Sequence, residues 1–211
     1  MGIKVSGREL LLRLIDAINE NKGWLSEIDG AIGDGDHGVN MAKGFNMAKD
    51  KVRNERDTVS DQLKMLGMTL VSNIGGAMGP IYGTLFMKMA KAVEGKEEIE
   101  EQDLLNMLES GLEGVKKRGG AEVGDKTLVD TLIPAVEAVK RGIEKGMEFK
   151  ELLNEMVEAA EKGMESTRDM VAKKGRSSRL GERSKGTIDA GAASCYIILK
   201  TIAEVLESSL N

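Results

Sequence analysis

The chain has 211 residues, of which 41% are apolar and 31% are charged, a balance that predicts a globular protein with a sizeable core. It contains no apolar run of about eighteen residues, which excludes a membrane-spanning helix, and its net charge of −5 argues against a general nucleic-acid-binding protein. The N-terminus has no pattern of a secretion signal and the single cysteine, Cys195, cannot form an internal disulfide, so we expect a protein of the reducing cytoplasm.

Apolar residues recur at helical spacing along nearly the whole chain, and they predict eight helices. The apolar positions of these helices are, in chain order, Leu11 to Ile18, Met41 to Val52, Leu63 to Ile74, Ile81 to Met89, Leu104 to Val115, Leu128 to Val139, Leu153 to Met170, and Ala190 to the C-terminus. No stretch shows sustained alternation of apolar and polar residues, so no strand is predicted. The sequence therefore predicts one all-α domain over residues 1–211.

Capping and helix-breaking residues mark the expected helix boundaries. They are Ser6, Ser60 and Asp125 as N-caps, Pro80 in the first turn of the fourth helix, and Gly23 and Gly119-Gly120 as helix ends.

Segments rich in glycine and charge fall between helices 1 and 2, 3 and 4, 5 and 6, and 7 and 8. In an antiparallel up-and-down bundle, alternate connections lie at the same end. The other connections hold ordinary polar linkers, such as RNERDT (53–58) and EGKEEIEEQ (94–102). We therefore expect the four special segments to meet at one functional pole.

The first of these segments, IDGAIGDGDHGVNM (28–41), contains Asp29, Asp34 and Asp36 among four glycines. Its Gly-x-Gly-x-x-Gly pattern is no dinucleotide fingerprint, because no strand precedes it. It is no EF-hand either, because the twelfth position from Asp29 is Asn40 rather than glutamate. Three carboxylates suit a hard divalent cation such as Mg²⁺, and a solvated Asp/Gly turn is the alternative.

His37, the only histidine in the chain, follows these aspartates directly. It could carry a phosphoryl group, act as a base or donate a hydrogen bond. We favour the hydrogen bond, because cations held by the aspartates would lower the pKa of His37 and keep it neutral.

The second segment, NIGGAMGPIYGT (73–84), is a glycine turn that opens a helix, where free backbone amides can receive an anion. A plain helix-to-helix turn explains it equally, and no Gly-Lys-Ser/Thr follows to make it a Walker A loop. The third segment, RGGAEVGDKTLVDTLIP (118–134), predicts only a loop and a capped helix.

The fourth segment, KKGRSSRLGERSKGTIDAGAAS (173–194), has six basic residues and one acid between Lys173 and Lys185. It has no aromatic residue to stack on a base, which gives little support for nucleic-acid binding. A loop that closes on phosphates or docks an acidic partner fits the charge better. An ordinary solvated loop is the alternative.

Taken together, the stretches IGDGDHGVNM, GGAMGPIYGTLF, GDKTLVDTLIPA and GRSSRLGERSKGTIDAGAAS resemble the L subunits of dihydroxyacetone kinases, which bind the nucleotide. They occur in the family's order from about residue 29 to residue 194. The resemblance implies an eight-helix antiparallel barrel with ADP or ATP at one end. It also implies two Mg²⁺ ions, with Asp29, Asp34 and Asp36 as their ligands.

The resemblance further implies which residues contact the nucleotide and where this chain departs from its relatives. The expected contact residues are His37, Gly38, Val39, Asn40, Ala77, Met78, Gly119, Leu128, Arg176, Asp189, Ala190 and Gly191. Arg176 is expected near the terminal phosphate, as the catalytic residue. Met78 replaces a common serine, Leu128 a common methionine and Ala190 a common proline, and none of these changes removes a metal ligand.

An L domain that stands alone resembles the bacterial type driven by phosphoenolpyruvate. In that type, bound ADP receives a phosphoryl group from a phosphohistidine of an M subunit and passes it to dihydroxyacetone held by a K subunit. The alternatives are an L subunit that exchanges ATP and serves a kinase for dihydroxyacetone or a related small substrate, a nucleotide-sensing regulatory module that binds a transcription factor, and a bare helical scaffold. A homodimer is a further expectation.

Overall fold

The computed structural model describes residues 2–52 and 57–210. The α-helices of these ranges are, in chain order, α1 (Gly7–Ile32), α2 (His37–Lys49), α3 (Val59–Asn73), α4 (Met78–Ala92), α5 (Glu101–Gly119), α6 (Val129–Glu144), α7 (Phe149–Ser166) and α8 (Ala190–Ser208). Two 3₁₀ segments, Thr167–Asp169 and Arg176–Ser184, lie between α7 and α8. The predicted all-α fold with eight α-helices is thus confirmed. None of the described helices has the length and apolar character needed to cross a membrane.

The helices form a closed ring around one apolar core. Each helix packs against the next one along the chain, and α8 also packs against α1. Leu11 and Leu14 of α1 and Ile198 and Ile202 of α8 are buried in this core. Ring closure by the last helix gives the barrel that the resemblance implied.

The first helix is longer than predicted, because Gly23 does not end it. Helix α1 continues through Gly23 to Ile32, and both Leu25 and Ile32 are buried beyond the glycine. A glycine inside a helix costs about 1 kcal/mol, whereas burial of one leucine or isoleucine side chain contributes about 1.5–3 kcal/mol. Asp29 therefore lies on the last turn of a helix and not in a loop.

The boundaries of the second and third helices also differ from the prediction. Helix α2 begins at His37, before Met41, and it ends at Lys49, before Val52. Thr58, and not Ser60, caps α3, because its side chain accepts a hydrogen bond from the Asp61 amide. The apolar pattern marked the inward faces, but the caps are set by local hydrogen bonds.

The later boundaries are partly as predicted. Asp125 does not cap α6, which begins after Leu128, and α7 ends at Ser166, so Met170 lies outside it. Helix α8 stops at Ser208, short of the C-terminus. The boundary residues that agree with the prediction are Ser6 as the cap of α1, Pro80 in the first turn of α4, and Gly119-Gly120 at the end of α5, where Gly120 is left-handed with φ 60°.

The prediction that the chain has no strand was wrong. Strand β1 (Ile3–Lys4) lies in the N-terminal segment, and strand β2 (Glu98–Ile99) lies in the linker EGKEEIEEQ. The two strands have two residues each and pair antiparallel. Strands of two residues are too short to show an alternating pattern. The Gly7 amide also donates to the Asp57 carbonyl oxygen at 2.9 Å. Of the linker RNERDT, residues 53–56 lie outside the described part.

Candidate metal and nucleotide site

The four glycine- and charge-rich connections meet at one pole of the ring. His37 at the start of α2 contacts Ser194 of α8, and the Tyr82 hydroxyl of α4 donates to the Gly191 carbonyl at 2.9 Å. Lys126, just before α6, reaches the Ser184 carbonyl of the α7–α8 connection. The amino ends of α2, α4, α6 and α8 therefore lie at this pole, where the helix dipoles favour an anion.

Asp29, Asp34 and Asp36 form one cluster at this pole. One carboxylate oxygen from each lies within 4.8 Å of the others. Asp29 is half-buried, while Asp34 and Asp36 are exposed. The structure thus brings together the three residues that the sequence predicted as metal ligands.

Local backbone features orient these carboxylates. The His37 amide donates to Oδ2 of Asp29 at 3.2 Å. A Cβ atom at Gly33 would lie only 2.6 Å from Oδ1 of Asp29, so a glycine is needed beside that carboxylate. Gly35 has a φ of 75°, the left-handed conformation that glycine adopts without strain. Asp36 occupies the N-cap position of α2 without a side-chain capping hydrogen bond, so its carboxylate can bind another partner.

The donor set fits a hard divalent cation. The three residues offer carboxylate oxygens alone, which suits Mg²⁺ rather than a soft metal. The guanidinium of Arg176 forms an ion pair with Asp34, so one positive charge from the basic segment already lies at this cluster. Three close carboxylates repel one another, and cations at this position would relieve that repulsion.

His37 belongs to a buried hydrogen-bond network. Its Nε2 lies 2.9 Å from Oγ of Ser194, and that Oγ lies 2.5 Å from the Tyr82 hydroxyl. Oγ of Ser194 also lies 3.0 Å from the Ala190 carbonyl, and the tautomer of His37 determines which atom donates in the His37–Ser194 hydrogen bond. The role of His37 as a hydrogen-bond donor stays a prediction, because either ring tautomer can make this contact.

Burial by itself is sufficient to keep His37 neutral. Burial lowers the pKa of His37 to about 4, and the nearby Asp29 carboxylate only partly opposes this effect. The imidazole is therefore neutral at pH 7 without any cation in the cluster.

The remaining predicted contact residues lie at helix ends of this pole. Gly38 is buried and packs directly on α1, where an added Cβ would lie too close to the Lys22 carbonyl oxygen and, at 2.7 Å, to Oγ of Ser26. Leu128 and Ala190 are also buried. The others are at least partly accessible and lie on the first turn of α2, the start of α4, the end of α5 and the start of α8: Val39, Asn40, Ala77, Met78, Gly119, Asp189 and Gly191.

Asp189 caps α8 through its side chain. Its Oδ2 accepts from the Ala192 amide at 2.8 Å. Burial raises the pKa of Asp189 to about 6, although this hydrogen bond and the charge of Lys126 oppose the rise. The predicted contact residue is thus also a structural cap.

Sequence reasoning missed several polar residues that hold the pole together. Asp130 is buried, and its carboxylate accepts from the Gly124 amide at 2.6 Å and from the Thr127 amide at 2.8 Å. Lys126 and Ser194 are buried as well. Lys126 and Asp130 lie in GDKTLVDTLIPA and Ser194 in GRSSRLGERSKGTIDAGAAS, but no spacing rule singles them out.

Comparisons with known proteins agree with this architecture. The family model for the DAK2 domain matches residues 31–204. The chain is 42% identical over 190 residues to the ADP-binding subunit of phosphoenolpyruvate-dependent dihydroxyacetone kinase 1 of Listeria innocua, covering 90% of each chain. It is 38% identical to the corresponding subunit of Escherichia coli, covering 92% of each.

A solved structure shares the fold. The dihydroxyacetone kinase of C. freundii superposes with a TM-score of 0.70 at 22% identity, covering 94% of this chain and 34% of that one. The same kinase has been crystallised with AMP-PNP and Mg²⁺. The match to residues 31–204 and the identity to full-length relatives show that this chain belongs to the DAK2 domain family.

Proposed function

We propose that this protein is the ADP- or ATP-binding subunit of a phosphoenolpyruvate-dependent dihydroxyacetone kinase, and that residues 1–211 form its single domain. Relatives named as ADP-binding subunits of such kinases are 37–42% identical over about nine tenths of the chain, which supports the assignment. The observation that carries the proposal is the cluster of Asp29, Asp34 and Asp36 at the pole where α2, α4, α6 and α8 begin.

The aspartates would hold two Mg²⁺ ions that neutralise the phosphates of the nucleotide. Asp29 is oriented for this role by the His37 amide, and Asp36 has a carboxylate that no capping bond uses. Asp34 would exchange its ion pair with Arg176 for the metal. Without cations the same carboxylates would repel a polyphosphate.

The remaining predicted residues would surround the nucleotide. Helix starts at His37 to Asn40, at Ala77 and Met78 and at Asp189 to Gly191 offer amides and dipoles, while Gly119 and Leu128 would border the base. Arg176 would place its guanidinium beside the transferring phosphoryl group, where negative charge builds. Neutral His37 would act as a structural donor and not as a phosphoryl carrier.

The relatives' names point to a multi-subunit kinase. We therefore propose a K subunit that holds dihydroxyacetone, the phosphoryl acceptor, and an M subunit that is the phosphohistidine donor. A homodimer and a cytoplasmic location stay predictions. Light scattering of the purified protein tests the first, and fractionation of the producing cell tests the second.

Native mass spectrometry of the purified protein tests the cofactor role. ADP with two Mg²⁺, retained through gel filtration, is the expected result for the phosphoenolpyruvate route. An empty site that fills and exchanges with added ATP would favour an ATP-dependent kinase for dihydroxyacetone or a related substrate.

A reconstituted transfer assay tests the activity itself. The protein is combined with K and M subunits from a relative, phosphoenolpyruvate and the general phosphotransfer proteins, and dihydroxyacetone phosphate is measured. Turnover that depends on this chain is expected. Tight nucleotide binding without any turnover would favour the sensor alternative.

A further inference from the structure

Lys126 combines three unusual properties. Only 1% of its surface is exposed, although lysine is rarely buried. Its φ is 62°, and it is the only non-glycine residue in the described ranges with a left-handed backbone. Its ammonium donates to the carbonyls of Ser184 and Thr187 at 2.6 Å each, and to that of Met170 at 3.4 Å.

Each of the first two properties is costly by itself. Burial of an ammonium removes its hydration, and it lowers the pKa of Lys126 here although Asp189 opposes the shift. A left-handed backbone is unfavourable for a side chain with a Cβ. The three carbonyl acceptors match the three donors of an ammonium, so the surroundings hold this residue in place.

The carbonyls that Lys126 binds belong to the neck of a loop. This loop, which we call the arginine loop, runs from Lys173 to Arg183 and carries Arg176. At the neck, Oγ of Ser184 accepts from the Ala172 amide at 2.9 Å and donates to the Gly181 carbonyl at 2.6 Å. The two ends of the loop are therefore joined, as in a compact Ω-type loop.

The neighbour of Lys126 binds the other end of the same loop. The Lys173 amide donates to the Asp125 carbonyl at 3.1 Å, and Nζ of Lys173 lies 3.5 Å from the Asp125 carboxylate. Asp125 and Lys126 thus bind the segments on both sides of the neck. Lys126 makes its two short hydrogen bonds after the loop, to the carbonyls of Ser184 and Thr187, and its longer one before the loop, to that of Met170, where Asp125 also binds.

We propose that Lys126 is a positioning residue that fixes the neck of the arginine loop and thereby holds the Arg176 guanidinium at the aspartate cluster. The ion pair between Arg176 and Asp34 supports this, because it joins the loop to the α1–α2 connection. The effect on phosphoryl transfer rests on the proposed function, whereas the contacts of the loop do not.

Hydrogen exchange of the full-length protein tests the geometry without any activity. Lys126→Met removes the ammonium and keeps the length of the side chain, and Lys140→Met on the exposed side of α6 is the matched control. Amides in peptides covering residues 172–186 are expected to exchange about 10-fold faster in Lys126→Met. Peptides of α1 and α8 should be unchanged. Unchanged exchange at 172–186 overturns the proposal.

A double-mutant cycle in the transfer assay tests the consequence. Lys126→Met is expected to lower kcat about 10- to 100-fold with the Kd for Mg-ADP within about 3-fold of the unaltered protein. In the Arg176→Ala background the same change should cost less than about 2-fold, because Lys126 acts through Arg176. If Lys126→Met lowers kcat by the same factor in the Arg176→Ala background as in the unaltered protein, the proposal is overturned and Lys126 has a general structural role.

A second variant covers the case in which Lys126→Met does not fold. Ser184→Ala removes both side-chain hydrogen bonds of the neck and leaves Lys126 in place. It is expected to loosen the same peptides and to lower kcat. Loosened peptides with unchanged kcat would refute the positioning role. Faster exchange at 172–186 in a protein that transfers no phosphoryl group under any condition would refute the proposed function alone.

Discussion

Arg176 and Asp34 form an ion pair that joins the arginine loop to the aspartate cluster at the end of α1. The cation and the carboxylate come from segments at opposite ends of the sequence, and both are solvent-accessible. A cation that binds Asp34 competes directly with this guanidinium. Metal binding at Asp34 would therefore be coupled to the position of the arginine loop.

The first prediction concerns Asp36, whose carboxylate makes no capping bond. Asp36→Asn should weaken Mg-dependent ADP binding by at least about 10-fold, because it removes one of the three clustered charges that we propose to bind magnesium. Isothermal titration calorimetry with and without Mg²⁺ measures this. Asp16→Asn, on the exposed face of α1, is the control and should bind normally. Equal Mg-dependent binding by both variants would remove Asp36 from the metal site.

The second prediction concerns Ser194, which bridges His37 and Tyr82. Ser194→Ala leaves the buried His37 Nε2 without its partner, so the free energy of unfolding should fall by about 1–3 kcal/mol. Urea denaturation measures the change. Ser72→Ala on the exposed face of α3 should change it by less than about 0.5 kcal/mol. An equally small effect of both variants would show that the network contributes little.

The third prediction concerns the pH dependence of Asp189. Its pKa is raised to about 6 in the folded state from 3.8, chiefly by burial. The folded state therefore holds the proton more tightly, and this contribution to stability is present below about pH 4 and lost as the pH rises through 6. Asp189→Asn keeps an acceptor for the cap and cannot titrate.

The difference in unfolding free energy between the unaltered protein and Asp189→Asn should consequently shift by up to about 3 kcal/mol between pH 4 and pH 7, in favour of the variant at the higher pH. Chemical denaturation at a series of pH values follows it. A constant difference over that range would contradict the raised pKa.

The fourth prediction uses two glycines with opposite surroundings. A Cβ at Gly38 would meet the backbone and side chain of Ser26, whereas a Cβ at Gly23 has no atom within 4 Å among the described residues. Gly38→Ala should destabilise the fold by about 1–3 kcal/mol through overpacking. Gly23→Ala should stabilise it by about 0.5–1 kcal/mol, because alanine favours the interior of α1. Thermal denaturation gives both signs, and the same sign for both would disprove the close approach of α1 and α2.

The inward faces and the order of the helices could be predicted from the sequence, because apolar spacing reports burial directly. The caps could not. Thr58 and Ser60 are both capping residues, and only the contact of Ser60 with the Ala90 carbonyl shows why Ser60 is buried inside the helix. The extension of α1 past Gly23 likewise depends on tertiary burial of Leu25.

The aspartate cluster could be predicted because its members lie close together in the sequence. The contacts of Lys126 could not, since its acceptor carbonyls come from residues after α7 and are backbone atoms that carry no sequence signal. The contact between His37 and Ser194 likewise joins residues that are far apart in the sequence. Long-range polar contacts are therefore the part of the site that could not be predicted from the sequence.

Because α1 and α8 are neighbours in the closed ring, the fold should tolerate circular permutation. Arg13 of α1 and Glu204 of α8 lie 3.6 Å apart, so these two helices adjoin at the end away from the aspartates. At the same end, Lys150 at the start of α7 pairs with Glu207 of α8 at 2.7 Å. A short tether between these two helices and a cut in the turn 145–148 should give a circularly permuted chain with the same set of neighbours. The order of the helices along the chain would change, and the chemistry at the other end would not.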